Sequence, residues 1–248
     1  MRKTLFTVTH HDRTIHGQLF LPDACGPHAA VLFSHGYNGC MTDFNGNAAY
    51  LCQQGIAAVS YTFCGGSTRD ESGFPTTSMT LLTETEDLLA VLTWMKQQPE
   101  IDPGRLFLFG GSQGGLVTVL AAPDVQQEVR GLMLLFPALC IPDNWNQRFA
   151  RPEDIPDTLT FWDLTLGRIF FETLRGLDAF ALLPGIELPV MILHGDKDPI
   201  VPLTYSQRAV QALPHAELTV FPGEGHGFSA EANQRMEQMI ADFVRMHS

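Results

Sequence analysis

Short apolar runs alternate with amphipathic stretches through most of the chain. Runs such as AAVLF, RLFLF, GLMLLF and PVMIL lack polar alternation and are closely followed by glycine or proline. Such runs are typical of strands in a parallel sheet that is covered on both faces. Before them, LFTVTH and TIHGQLFLP flank the polar residues HDR, which predicts a hairpin. The pattern therefore predicts an α/β fold with a mostly parallel central sheet flanked by helices.

The stretches between the apolar runs have the spacing of helices. NAAYLCQQ predicts a short helix that ends at Gly55. Between residues 78 and 98, large apolar residues recur at intervals of seven, four and three and share one helical face: Leu81, Leu88, Leu92 and Met95. Further helices are predicted directly after Ser112, from about Thr204, and at the C-terminal end.

Residues 141–185 lack this alternation of strands and helices. They contain several prolines and acidic residues and two of the three tryptophans, Trp145 and Trp162. We interpret this stretch as an insertion within a single domain that spans residues 1–248. A cap over the carboxyl edge of the sheet is the expected position, because open α/β sheets bind their ligands there.

Composition and charge exclude several classes of protein. An apolar fraction of 45% with 17% charged residues is typical of a globular protein. A formal net charge of −12 argues against nucleic acid or an anionic membrane as the main partner. No apolar run is long enough to span a membrane, and the first apolar stretch is too short for a signal peptide. We therefore expect a cytoplasmic protein.

The five cysteines are scattered and include no C-x-x-C pair. This distribution predicts buried thiols in a reducing compartment rather than a disulfide framework or a zinc site. No His and carboxylate spacing matches a metal site, so we expect neither a metal nor another cofactor.

GGSQGG, residues 110–115, lies between a predicted strand and a predicted helix. Gly110, Ser112 and Gly114 form the pattern G-x-S-x-G in the context that a nucleophile elbow requires. In such an elbow, a sharp turn lifts the serine hydroxyl above the sheet, and larger flanking side chains would collide with neighbouring backbone. A serine that merely caps the following helix is the alternative interpretation.

A serine nucleophile needs a base, and the base needs an acid that orients it. HGDKDPIVP and FPGEGHGF each follow an apolar strand and therefore lie at the same edge of the sheet as Ser112. We predict Asp198 as the acid and His226 as the base. Asp198 is preferred to Asp196 because it stands in the body of the loop, before Pro199. A turn cap at Asp198 and a surface histidine at His226 are the alternatives.

An acyl-transfer site also needs donors for the negative charge that develops on the carbonyl oxygen. The loop SHGYNG follows the strand AVLF, and we predict the backbone N–H groups of Tyr37 and Gln113 as these donors. His35 and His194 precede glycines at strand ends. We expect both to brace loops, with His35 shaping the oxyanion loop through hydrogen bonds.

The motifs HGYNG, GGSQGG, HGDKDPIVP and GEGHGF together resemble the α/β-hydrolase superfamily. The acid of the family pattern G-x-x-D matches Asp198. IPDTLTFWDLTLGRIFFE is similar to the cap segment of bacterial cinnamoyl or feruloyl esterases. The resemblance implies a serine esterase that works through an acyl-enzyme, with a helical cap over an aromatic acyl group.

The same resemblance implies that polar residues early in the cap bind the ring hydroxyls of a phenolic acid, and Asp143 and Gln147 stand there. A turn after Pro142 is the alternative role for Asp143. Trp162 is predicted to contact substrate. With it, four aromatic residues form either the wall of a pocket or the core of the cap: Trp145, Phe161, Phe170 and Phe171.

The predicted substrate is a small-molecule ester, and the sequence leaves monomer and homodimer open. A short-chain carboxylesterase, a thioesterase and a serine peptidase of the same fold remain alternatives. A dehalogenase or dienelactone hydrolase is disfavoured because the elbow carries Ser112 rather than aspartate or cysteine. A non-catalytic binding module is disfavoured because no member of the triad is missing.

Overall fold

The chain contains ten strands, and eight of them form one central sheet. The computed structural model describes residues 1–248. The strands are β1 (Arg2–His10), β2 (Arg13–Leu21), β3 (His28–Ser34), β4 (Ala57–Tyr61), β5 (Ile101–Gly111), β6 (Gly131–Leu135), β7 (Thr158–Phe161), β8 (Leu164–Gly167), β9 (Val190–Gly195) and β10 (Ala216–Phe221). Their order in the central sheet is β1-β2-β4-β3-β5-β6-β9-β10, and β7 pairs only with β8.

Pairing in the central sheet follows the hydrophobic pattern. The alternating strands β1 and β2 form an antiparallel hairpin, and β2 pairs antiparallel with β4. All remaining pairs of the central sheet, which join strands β3 to β6, β9 and β10, are parallel. The predicted α/β class with a mostly parallel sheet is confirmed.

Eight α-helices accompany the strands. They are α1 (Asn45–Gln53), α2 (Leu81–Met95), α3 (Gln113–Val125), α4 (Ile141–Arg148), α5 (Arg168–Leu174), α6 (Ala179–Leu182), α7 (Leu203–Ala212) and α8 (Ala230–His247). The predicted helices are present, and Gly55 follows α1 with a φ of 80°. No helix is both long and apolar enough to cross a membrane.

Both faces of the sheet are covered by helices. Alternate residues of β3 point to opposite sides, so that Ala30 and Leu32 join one cluster of 43 buried residues while Val31 and Phe33 join another of 22. The larger cluster includes apolar side chains of α2, α3 and the 141–185 segment, and the smaller one includes those of α1 and α8. This two-sided burial explains why the inner strands β3, β6 and β9 are apolar at most positions.

The segment 141–185 lies between β6 and β9 and contains α4, the β7–β8 hairpin, α5 and α6. The hairpin was not predicted from the sequence. Trp145 packs at the centre of the 141–185 segment. The centroid of its ring lies 5.3 Å from that of Phe161 and 4.9 Å from that of Phe171. The cap segment therefore has an aromatic core of its own.

The cysteines form no disulfide. Four of them are buried, as predicted, whereas Cys25 is exposed.

Candidate active site

Ser112 stands at the turn from β5 into α3, with φ 53° and ψ −118°. A side chain at either flanking glycine would collide with backbone. A Cβ on Gly110 would lie 2.3 Å from the Gly114 carbonyl oxygen, and one on Gly114 would lie 2.3 Å from the Ser34 carbonyl oxygen. Since the Ser112 side chain caps no N–H of α3, these contacts favour the elbow over a simple helix cap.

A chain of two hydrogen bonds connects the three predicted triad residues. Ser112 Oγ lies 2.9 Å from His226 Nε2, and His226 Nδ1 lies 2.7 Å from Asp198 Oδ2. The Asp198 side chain is 0% exposed, whereas that of His226 is 16% exposed. With Nδ1–H donated to Asp198, Nε2 of a neutral His226 is free to accept the hydroxyl proton of Ser112.

The loop between β9 and α7, residues 196–202, is called the acid loop below, and the structure places its two aspartates in different surroundings. Asp198 Oδ1 accepts hydrogen bonds from the N–H groups of Ile200 (2.8 Å) and Val201 (2.9 Å), which orient its other oxygen toward His226. Asp196 is exposed and accepts from the Gly223 N–H at 2.6 Å. Asp198 is therefore the aspartate that meets the histidine.

His194 lies behind Asp198 and is fully buried. Its Nε2 is 3.0 Å from the Val201 carbonyl oxygen and 3.4 Å from Asp198 Oδ2, and its Nδ1 is 2.7 Å from Ser206 Oγ. Burial lowers the pKa of His194, which favours the neutral ring. These contacts fit the predicted role of bracing the acid loop.

The loop after β3 approaches the elbow from the other side. A Cβ on Gly36 would lie 3.2 Å from Ser112 Cβ, so the loop backbone passes directly beside the nucleophile. The Tyr37 N–H donates to no group of the protein. The Gln113 N–H is the first of α3 and therefore has no acceptor within the helix. Both N–H groups are free to bind a ligand oxygen near Ser112.

His35 holds this loop in place. Its Nδ1 lies 2.7 Å from the Gly36 carbonyl oxygen, and its Nε2 accepts a hydrogen bond from the Phe63 N–H at 3.0 Å. Burial lowers the pKa of His35 to about 4, so the ring is neutral at pH 7. The contacts match the loop-shaping role expected of this residue.

A cavity of about 70 Å³ lies between the elbow and the cap segment. Its lining includes Ser112, both predicted oxyanion residues and several cap residues, among them Asn144, Trp145, Trp162 and Phe170. A larger groove of about 610 Å³ runs between β10 and α8, but Ser112 does not line it. The small cavity is therefore the one that chemistry at Ser112 would use.

The predicted polar contacts of the cap lie outside this lining. Asp143 is exposed, and its Oδ2 accepts a hydrogen bond from the Tyr205 hydroxyl at 2.7 Å. Gln147 is exposed as well. Asn144, which the sequence analysis did not select, is the polar residue of α4 that lines the cavity. Of the remaining aromatic residues, Phe161 and Phe171 pack around Trp145 instead.

Side chains of the oxyanion loop are bonded to the turn between β7 and β8. The Tyr37 hydroxyl donates to the Phe161 carbonyl oxygen (2.8 Å), and Asn38 Nδ2 donates to the Trp162 carbonyl oxygen (3.0 Å). Trp162 and Asp163 have φ values of 40° and 65°, which are rare for residues other than glycine, and most of all for a bulky one. The two hydrogen bonds therefore hold a strained turn, with Trp162 54% exposed above the cavity.

A buried carboxyl behind the elbow was missed by the sequence analysis. Glu84 is 0% exposed and accepts from Gln113 Nε2 at 2.9 Å and 2.8 Å. Burial raises the pKa of Glu84 to about 8. The spacing could have indicated this burial, because Glu84 follows Leu81 by three residues and precedes Leu88 by four. A carboxylate there lies on the apolar face of α2.

Comparison with known proteins places this geometry in context. The model of the alpha/beta hydrolase family matches residues 31–241. An uncharacterized protein of Mycobacterium tuberculosis is 30% identical over 141 residues, which are 56% of this chain and 44% of that protein. The 2-hydroxy-6-oxononadienedioate/2-hydroxy-6-oxononatrienedioate hydrolase of a Pseudomonas species is 27% identical over 165 residues, 59% of this chain and 56% of the enzyme. The chain thus spans about half the length of these curated relatives.

Among solved structures, Est1E from Butyrivibrio proteoclasticus with bound ferulic acid has a TM-score of 0.87. The structural alignment covers 98% of this chain and 98% of Est1E, and the two sequences are 22% identical over it. At that identity the likeness shows a shared fold.

Proposed function

The chain belongs to the alpha/beta hydrolase family, and on that basis we propose that it is a serine carboxylic ester hydrolase that cleaves hydroxycinnamate-type esters. The observation that carries the proposal is the hydrogen-bonded series Ser112, His226 and Asp198 at the carboxyl edge of the sheet. Each of these side chains follows a different parallel strand, so the fold rather than local sequence joins them.

The reaction follows from these positions. His226 Nε2 takes the proton of the Ser112 hydroxyl as Oγ attacks the ester carbonyl, and Asp198 stabilises the imidazolium without taking the proton. The Tyr37 and Gln113 N–H groups bind the oxygen that becomes negative. His226 then protonates the leaving alcohol. Water enters, gives its proton to His226, and releases the acid while Ser112 recovers its hydroxyl.

The aromatic lining supports a ring-bearing acyl group. Trp145, Trp162 and Phe170 lie around the cavity beside Ser112, and aromatic pairs favour stacked or edge-to-face contact with a ring. The protein of similar fold, Est1E, binds ferulic acid. We propose that the phenolic ring lies among these side chains, with Asn144 available to a polar substituent.

A short-chain carboxylesterase is the second candidate, and the cavity volume favours it. About 70 Å³ is less than half of the roughly 150 Å³ in which a buried apolar cavity accepts benzene. We propose that the exposed turn that carries Trp162 moves outward to enclose a hydroxycinnamoyl group. A short acyl chain makes no such demand.

Comparative kinetics test both proposals. Hydrolysis of methyl ferulate, methyl caffeate and p-nitrophenyl butyrate would be measured for the wild type and for Ser112→Ala, with thermal unfolding as a check of the fold. We expect a higher kcat/KM for the hydroxycinnamates and no measurable turnover by the variant. Cleavage of the butyrate alone would favour the short-chain esterase, and near-normal turnover by Ser112→Ala would reject the serine mechanism.

A further inference from the structure

Glu84 is a buried acidic residue that the proposed reaction does not use. It lies in the first turn of α2, and its side chain faces the first turn of α3. Gln113 Nε2 donates to both of its carboxyl oxygens, at 2.9 Å and 2.8 Å, and no other group of the protein donates to them. Gln113 is also the residue that follows the nucleophile, and its own N–H is one of the proposed oxyanion donors.

The backbone leaves room for this carboxyl. A Cβ on Gly66 would lie 2.7 Å from Glu84 Oε1, so the absence of a side chain there allows the carboxyl to fit. Gly65, with a φ of 70°, makes the turn that brings Gly66 into this position. A hydrophobic residue at position 84 would suit the apolar face of α2 better, because a buried carboxyl with few partners is costly.

The other charged groups of the region are directed elsewhere. Asp87, one turn further along α2, accepts from the Cys64 N–H at 2.8 Å. Arg13 pairs with Glu86 and lies 3.5 Å from Asp87 Oδ1. Glu84 therefore has no cationic partner, and Gln113 is its single hydrogen-bond donor.

The elbow conformation makes this contact relevant to the reaction. The φ and ψ of Ser112 are strained, and ψ fixes the direction of the Gln113 N–H. Such a conformation persists only where the surroundings hold it. On the Ser112 side, its N–H donates to the Leu135 carbonyl oxygen at 2.9 Å and its carbonyl accepts from the Ala138 N–H at 2.9 Å. On the Gln113 side, the side-chain hydrogen bonds from outside the turn are those to Glu84.

We propose that Glu84 is a positioning residue that fixes Gln113 through its side-chain amide and thereby holds the Gln113 N–H in the oxyanion hole. This inference rests on the proposed serine hydrolase function. The role concerns the transition state, because only there does the carbonyl oxygen carry the charge that this N–H stabilises.

A double-mutant cycle of Glu84→Leu and Gln113→Leu separates positioning from stability. Each single variant leaves one buried polar group without its partner, so both lose thermal stability, whereas the double variant replaces the pair by apolar groups and regains it. Positioning predicts that kcat for p-nitrophenyl butyrate falls about tenfold or more in all three variants while KM stays within about twofold. Affinity for phenylboronic acid, which forms a tetrahedral adduct with the serine, should fall by the same factor as kcat.

Asp87→Asn is the matched control, since Asp87 is a buried carboxyl of the same helix that does not contact Gln113. We expect it to lower the unfolding temperature and to leave kcat unchanged. The inference is overturned if kcat recovers together with stability in the double variant, or if Asp87→Asn lowers kcat as much as Glu84→Leu does. Ser112→Ala, assayed in parallel, keeps the two proposals apart, because turnover by that variant would remove the serine mechanism itself.

Discussion

Single residues of the acid loop offer a direct test of the triad, because two aspartates stand two positions apart in different surroundings. Asp198→Asn keeps the shape of the side chain but exchanges a carboxylate oxygen for an amide, which favours the wrong tautomer of His226. We expect kcat to fall by about 10⁴-fold, with little change in the unfolding temperature. Asp196→Asn is the control, since Asp196 bonds only to the Gly223 N–H and should keep its activity within about threefold. Equal losses from both substitutions would contradict the assignment.

Another property of individual residues is the dependence of stability on pH. Burial raises the pKa of Glu84 from 4.5 to about 8, and that of Asp87 from 3.8 to about 7. At a pH between the unfolded and the folded pKa of either group, the folded protein retains a proton on that group that the unfolded chain has lost. Each group therefore contributes stability that is fully present below the unfolded pKa and is lost as the pH rises through the folded pKa. His35, whose pKa burial lowers to about 4, acts oppositely: it destabilises the fold as the pH falls below 6.5.

Glu84→Gln removes one of these ionisations while preserving size and one acceptor oxygen. The wild-type unfolding temperature should fall between pH 6 and pH 9 by about 5 °C or more relative to that of the variant, because roughly two pH units of this range lie between the unfolded and the folded pKa of Glu84. Thermal unfolding followed by circular dichroism at both pH values measures the difference. Glu128→Gln, at an exposed carboxylate on the surface, serves as the control and should retain the wild-type profile. Identical profiles for the wild type and Glu84→Gln would mean that Glu84 does not titrate in this range.

At the scale of secondary-structure elements, the strand–turn–helix around Ser112 depends on close backbone contact between β3 and α3. Gly114→Ala places a Cβ 2.3 Å from the Ser34 carbonyl oxygen, so one element must shift. We expect a loss of about 2 kcal/mol or more in the free energy of unfolding, together with loss of activity. Gly46→Ala in α1 meets no atom within 4 Å and should instead stabilise the protein by about 0.5–1 kcal/mol. Denaturant unfolding of both variants tests these opposite signs, and two losses of similar size would contradict the argument.

The elements also differ in how far the sequence predicted them. Strands β3, β4, β6 and β9 were predictable because each is a short, largely apolar run, and the three proposed triad residues because each lies in the turn or loop that follows a predicted strand. The β7–β8 hairpin was not, since its strands TLTF and LTLG alternate over only four residues each and its turn is held by Tyr37 and Asn38, each 124 positions earlier. The positions of Asp143 and Gln147 depend on how α4 packs, which no local pattern specifies. Glu84 was detectable in principle as a carboxylate on an apolar helix face.

The whole molecule assembles the candidate site from segments that are distant in sequence. The turn after β5 and the loops after β9 and β10 meet at one edge of the sheet, and the cap segment covers that edge. Asn38 joins the cap to the loop after β4, because it bonds to the β7–β8 turn through Nδ2 and to Thr68 through Oδ1. The outward movement of Trp162 that we propose for an aromatic acyl group would therefore break or carry with it the bond to Asn38.

Asn38→Asp tests whether this link limits access to the cavity. The substitution keeps an oxygen that accepts from Thr68 but replaces the N–H donor to the Trp162 carbonyl by a second oxygen, which repels it. Loss of one hydrogen bond is worth about 1 kcal/mol, so kcat/KM for methyl ferulate should rise about threefold or more relative to that for p-nitrophenyl butyrate. Thr68→Val removes the hydroxyl that donates to Asn38 Oδ1, keeps the backbone N–H that donates to the same oxygen, and should leave the ratio unchanged. An unchanged ratio in Asn38→Asp would show that the turn already admits the ring, and the small cavity would then no longer count against hydroxycinnamate esters as substrates.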